Sequence, residues 1–158
     1  MKRILLASMA LGALSVMICP TAMSQTATDS MQISITISSN CTIAANDLSF
    51  GTYGSLASDI DVDTGITVNC TSGTNYSVSL DQGVYGARLM FDGSSYVDYE
   101  LFTSPQRDSP WGTNVGVDTV GGTGDGNDQG LTVYGRVPSQ GTPPVSTYYD
   151  VVTATVAF

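Results

Sequence analysis

From residue 30 onward, apolar side chains recur at every second position in short runs. Gly, Ser, Thr, Asn and Asp end each run before it reaches helical length. A period of two turns one face of an extended segment inward and the other to water, whereas a helix needs a period near 3.6. The first run, SMQISITISSNCTI (residues 30–43), sets Met31, Ile33, Ile35, Ile37, Cys41 and Ile43 on one parity. The last, YYDVVTATVAF (residues 148–158), sets Val152, Ala154, Val156 and Phe158 on one parity. Between them GITVNC (65–70) and NYSVSL (75–80) flank the turn TSGT and predict a hairpin. ARLMF (87–91) and YVDYELF (96–102) flank DGSS and predict a second, and GLTVYGRV (130–137) predicts a further strand. No convincing helix follows the first segment. Strands of this length and spacing predict an all-β sandwich in one domain. The first and last strands lie at the two ends of the chain, so something has to cover the sheet edges they form.

The opening segment has a different physics. Lys2 and Arg3 precede an apolar stretch over residues 4–18, Pro20 breaks it, and Ala22-Met23-Ser24 is a small-x-small site. This predicts a secretory signal peptide over residues 1–24, too short in its apolar part for a comfortable membrane span. The bulky Ile18 ahead of Cys19 argues against a lipoprotein. Removing residues 1–24 takes Cys19 with them and leaves Cys41 and Cys70, a pair expected to be oxidised in an exported protein. Two cysteines without histidine are too few ligands for zinc, so no metal or other cofactor is expected.

Composition then narrows the chemistry. All 14 acidic residues lie beyond Ser24, against three bases there: Arg88, Arg107 and Arg136. Nucleic acid is excluded as a partner, because phosphate contacts need a basic surface. The chain has no histidine, so a Ser-His-Asp or Cys-His pair is impossible and the reading is non-enzymatic. Asp59, Asp61 and Asp63, and likewise Asp98 and Glu100, share faces of extended segments and read as solvated strand faces rather than a glycosidase pair. GGTGDGNDQG (121–130) superficially resembles a calcium loop, but Arg136 stands where the bidentate acid is needed, and a flexible loop is the expectation. The sequons at Asn40, Asn69 and Asn75 read as packing context, and Trp111 as a core or loop anchor rather than a sugar platform.

Several stretches together resemble one family. They are CTIAANDLSFGTYG (41–54), ITVNCTSGTNYSVSLDQG (66–83), DYELFTS (98–104), the Trp111-Gly112 pair and LTVYGRVPSQGTPPVSTYYDVVTATVAF (131–158). In this order they resemble the spore coat protein U domain family, which includes the pilin subunits of archaic, Csu-type chaperone–usher pili. One departure is Ser146, where the family pattern has Gly. The resemblance implies an incomplete immunoglobulin-like β-sandwich completed by a donor strand from another molecule. A periplasmic chaperone lends the strand first, an outer-membrane usher handles the subunit, and the extension of the next pilin subunit replaces the chaperone. Carried over here, residues 25–39 are the donor-strand extension and hinge, and 40–158 the domain. Met31, Ile33, Ile35 and Ile37 are then the plugs, followed by the polar hinge SSN (38–40). Val152, Ala154, Val156 and Phe158 line part of the acceptor groove. The expected function is a structural pilus subunit supporting surface adhesion and biofilm formation, exported through the periplasm to the cell surface. The alternatives are a self-contained secreted spore-coat or matrix protein, in which residues 31–37 complete their own sheet, and a tip-adhesin-type binding domain.

Overall fold

The computed structural model describes residues 23–158. Most of the predicted signal peptide, residues 1–22, lies outside the described residues. The chain divides into two units, Met1–Ile35 and Thr36–Phe158. Within the described part of the first, residues 23–35, no residue is in a strand or helix. The second unit carries nine strands and, among the described residues, no helix.

The strands are β1 (Cys41–Ala45), β2 (Ile60–Cys70), β3 (Asn75–Leu80), β4 (Leu89–Phe91), β5 (Tyr96–Asp98), β6 (Glu100–Phe102), β7 (Val120–Thr123), β8 (Asp128–Val137) and β9 (Ala154–Ala157). One sheet has the order β1-β2-β8-β6, a second β7-β3-β9, and β4 with β5 forms a separate hairpin. Every pairing is antiparallel. In immunoglobulin terms β1, β2, β8 and β6 take the places of strands A, B, E and D. On the facing sheet β3 and β9 take those of C and F, and β7 extends the sheet on the far side of β3. The place of strand G, beside β9, has no strand among the described residues.

Alternation placed the core correctly. Ile66, Val68 and Cys70 on β2, Tyr76, Val78 and Leu80 on β3, and Val133 and Val137 on β8 are all buried between the sheets. Trp111 is 1% exposed, and its Nε1 donates to the Val78 carbonyl at 2.9 Å, so the single tryptophan is a core anchor. Cys41 and Cys70 form the predicted disulfide across the first register pair of β1 and β2.

Partner choice departs from the sequence reading in two places. The runs 65–70 and 75–80 are not a hairpin: β2 joins β1 and β8, while β3 joins β7 and β9 on the facing sheet. The turn between them, with Gly73 at φ +83°, carries the chain across the core instead. The run 96–102 divides. Its first half pairs with β4 as expected, and beyond Tyr99 its second half leaves to pair with β8. At the ends, β1 takes up 41–43 of the first run and continues to Ala45, and β9 covers 154–157 of the last.

Candidate functional site

An apolar cleft of about 920 Å³ opens in the second unit. Its floor is the buried underside of the core: Ile60 and Ile66 from β2, Leu101 from β6, Val133 and Val137 from β8, and Leu80 at the end of β3. One wall is the β1–β2 connection, with Leu48, Phe50 and Leu56 turned inward. It is pinned at its start by two bonds: Asn46 N–H donates to Gly65 O at 3.0 Å, and Thr64 Oγ1 to Asp47 O at 3.0 Å. Leu48 and Phe50 can lie over β8 because residue 135 is glycine; a Cβ there would sit 2.8 Å from Leu48 Cδ1 and 3.1 Å from the Val62 carbonyl. The other wall is the chain leading into β9, from Thr142 to Val152. The two walls meet where Leu56 N–H donates to Thr142 Oγ1 at 3.0 Å and Gln140 N–H to Leu56 O at 2.8 Å.

Two carboxylates hold the second wall. Asp150 Oδ1 accepts from Val84 N–H at 2.9 Å and Val151 N–H at 2.8 Å, and its Oδ2 accepts the Tyr99 hydroxyl. Asp81 Oδ1 accepts from Gly83 N–H and Thr153 N–H, both at 2.9 Å. Burial pushes the Asp81 carboxyl up, but the bonds from Thr153 and Gly83 outweigh it and hold the group below the ordinary carboxylate value. Burial, with the neighbouring Asp150, pushes the Tyr99 hydroxyl well above the ordinary tyrosine range. Tyr99 therefore stays a donor at any physiological pH.

The proposed acceptor residues divide. Val152 and Ala154 line the cleft, and Val156 is half-buried against the core in register with Val78. Phe158 is 57% exposed and is not part of the lining. Met31, Ile33, Ile35 and Ile37 are 83, 87, 85 and 74% exposed, and none belongs to a strand. Sequence reasoning missed the first wall. Leu48 and Phe50 sit two apart with a serine between them, so the signal was the same alternation, carried by a run too short to stand out.

The aspartates on β2 have a structural task. Arg136 forks onto Asp61, with Nε–Oδ1 at 2.7 Å and Nη2–Oδ2 at 2.8 Å, and also reaches Asp59 at 3.4 Å. Arg107 bridges Asp61 and Asp63. The bond from Arg136 holds the Asp61 carboxyl below its ordinary value, the opposite of what a general acid needs. Asp125 in the β7–β8 turn accepts from Asn127 N–H. Among the described residues no three His, Cys, Asp or Glu side chains converge as metal ligands.

The cleft has the length of a short extended strand. Ile60 and Ile66 on the floor are six residues apart along β2, a span of roughly 20 Å at about 3.3 Å per residue. β9 offers an open edge beside it, so an added strand gains main-chain bonds as well as buried side chains.

Comparison with known proteins fits this geometry. At 29% identity the chain is similar to Protein U of Myxococcus xanthus over 154 residues, covering 84% of this chain and 86% of the relative. Its fold is similar to a chain in the crystal structure of the CsuC–CsuE chaperone–tip adhesion subunit pre-assembly complex from the archaic chaperone–usher Csu pili of Acinetobacter baumannii. That match has a TM-score of 0.60 at 23% identity over 78% of this chain. The present chain spans 41% of the length of that chain, and the likeness is one of fold. The Spore Coat Protein U domain model matches residues 27–155, a span that takes in β1 to β8 and the start of β9, and the chain belongs to that family.

Proposed function

We propose that this protein is a structural subunit of an archaic chaperone–usher pilus that polymerises head to tail by donor-strand exchange. The observation that carries the reading is a sheet edge at β9 without a strand partner, next to an apolar cleft that reaches the buried core and is rimmed by the exposed Tyr53, Val145, Tyr149 and Val151. A free cleft of this kind is unstable in water and invites aggregation, so it calls for a strand supplied by another molecule. The leading segment supplies one of matching length. Met31 and Ile37 are again six residues apart, with four apolar side chains on one parity, all exposed. Burying each is worth about 1.5–3 kcal/mol, offset in part by the entropy of ordering the segment. In this reading a periplasmic chaperone fills the cleft first and hands the subunit to an outer-membrane usher. The donor segment of the next subunit then takes the chaperone's place. The contact is heterologous and does not close, so it makes fibres, which serve adhesion and biofilm formation at the cell surface. No step needs catalysis.

A self-contained coat or matrix protein is the second reading, favoured by the relative Protein U, which this chain matches over most of its length. The mature chain with and without residues 25–39, separated by size without boiling, discriminates. A ladder from the full chain and none from the truncation supports the fibre; stable monomers from both support the coat protein.

A further inference from the structure

Alongside the cleft the surface is unusually aromatic. Phe91 and Tyr96 stack with ring centroids 4.3 Å apart, and Tyr85 meets both edge-on at 5.3 and 5.9 Å. Tyr149 joins them through the paired backbone bonds between Phe91 and Tyr149. These rings are more exposed than mutual packing requires: Tyr85 is 37%, Tyr96 50% and Tyr149 63% exposed, with Val84 and Val151 beside them at 67% and 62%. Tyr149 also lines the cleft, so the aromatic face runs into its rim.

Negative charge flanks the rings. Tyr96 and Asp98 point to the same outer face of β5, while Val97 points inward. Asp150 lies close enough to Tyr85 to help raise its hydroxyl, after burial and together with Tyr149. Exposed ring faces beside carboxylates are the environment that attracts arginine and lysine. This chain has none to offer. Among the described residues the bases are Arg88, Arg107 and Arg136, and all three are engaged with the chain's own carboxylates. A second mature copy therefore brings acid to acid and no free cation. The occupant is a different, basic protein.

We propose that the face formed by Tyr85, Phe91, Tyr96 and Tyr149, next to Asp98 and Asp150, docks a basic partner protein, the periplasmic chaperone, whose arginines or lysines seat over the rings while it fills the adjoining cleft. The identity of that partner rests on the pilus reading; the chemistry of the face does not. Docking there lets the partner hold the rim as well as the cleft, and it sets apart a cationic chaperone from the neutral donor segment of the next subunit, which has no charged residue from Met31 to Asn40.

The test titrates the mature chain, residues 25–158, with nona-arginine, following the tyrosine ring resonances and the affinity at low and high salt. Saturable binding that shifts the rings of Tyr85, Tyr96 and Tyr149 is expected. Tyr96→Ser is expected to weaken it about tenfold and Tyr96→Phe by less than about twofold. Asp125→Asn, in the β7–β8 turn, serves as the acidic control and is expected to leave it unchanged. Should Tyr96→Ser perturb the β4–β5 hairpin, Tyr149→Ser, on a separate segment, carries the same expectation. Equal losses in the serine and Asp125→Asn variants, or no loss in either serine variant, would mean a diffuse polyanion and overturn the proposal. A peptide of residues 29–39, titrated in parallel into the Ile35→Asp chain, whose own donor segment is expected to leave the clefts empty, reports on the cleft. If that peptide fails to bind while nona-arginine behaves as expected, the pilus reading falls and the cation-binding face stands. If the peptide binds and nona-arginine does not, the reverse holds.

Discussion

Tyr99 donates its hydroxyl to Asp150 Oδ2 across 2.7 Å, tying the floor of the cleft to its wall. Tyr99 is 7% exposed and follows the β4–β5 hairpin; Asp150 stands four residues ahead of β9. The same carboxylate takes the backbone N–H groups of Val84 and Val151. One side chain thus fixes where the last stretch of chain turns toward β9, and so how wide the cleft stands.

Asp150→Ala is expected to remove all three bonds and strand the buried Tyr99 hydroxyl, destabilising the domain by about 1–3 kcal/mol. Tyr99→Phe removes only one bond and leaves a carboxylate that keeps two N–H donors, so it is expected to cost less. Urea unfolding of both variants measures the difference. Equal stability of Asp150→Ala and the parent would show that the wall is held by other contacts.

Gly83 is expected to be irreplaceable. Its φ is +77°, and an added Cβ would collide with the Asp150 carboxylate, 2.7 Å from its Cγ. Gly83→Ala therefore strains the backbone and pushes the carboxylate off its donors, an expected loss of more than about 1 kcal/mol. Gly93 at φ +103° has open space at its Cβ and serves as the control for backbone strain alone. The larger loss at residue 83, read from thermal midpoints, is the expected result.

The Cys41–Cys70 disulfide spans a sequence separation of 29. A loop of that size stabilises by about 3–4 kcal/mol in the chain-entropy model. The double variant Cys41→Ser, Cys70→Ser is expected to lose at least that much, because Cys70 is fully buried and its replacement puts a hydroxyl in the core. Denaturation of the oxidised, reduced and double-serine chains checks it; an unchanged midpoint on reduction would contradict the expectation.

Acid is expected to loosen the domain late. The N–H groups of Ser95 and Ser94 hold the Asp92 carboxyl at about 2, and Asp61 and Asp81 are also held below the ordinary value of 3.8. Groups depressed in the folded state contribute their full stabilisation above the unfolded pKa and lose it as the pH falls through the folded one. Stability is therefore expected to stay level from neutral pH to about 4 and to decline between about 4 and 2. Unfolding midpoints across that range, with a carboxyl NMR titration of Asp92, test the window. A decline already under way near pH 6 would contradict it.

Ile35→Asp is expected to abolish assembly without touching the fold. Ile35 is 85% exposed, so the change leaves the subunit's own packing intact, yet it would put a charge into the neighbour's apolar cleft. Circular dichroism of the variant should match the parent while laddering on unboiled gels disappears. Undiminished laddering would remove Ile35 from the donor role.

Alternation along the chain was sufficient for the all-β class and for the inward faces of β2 and β3, because burial on one side of a strand writes itself into every second residue. Cysteine counting was sufficient for the disulfide. The partner of each strand was another matter. Ile66 and Val68 show the same pattern whether Tyr76 and Val78 lie beside them in one sheet or across the core in the other, since both arrangements bury the same face. Only the tertiary structure settled that β2 and β3 face each other, that the run around Tyr99 divides between two sheets, and that β9 begins only at Ala154. The cleft results from that arrangement rather than from any local motif. Its walls are connecting segments whose course is set by contacts far apart in sequence, Leu56 with Thr142 and Tyr99 with Asp150, and such contacts leave no period in the chain.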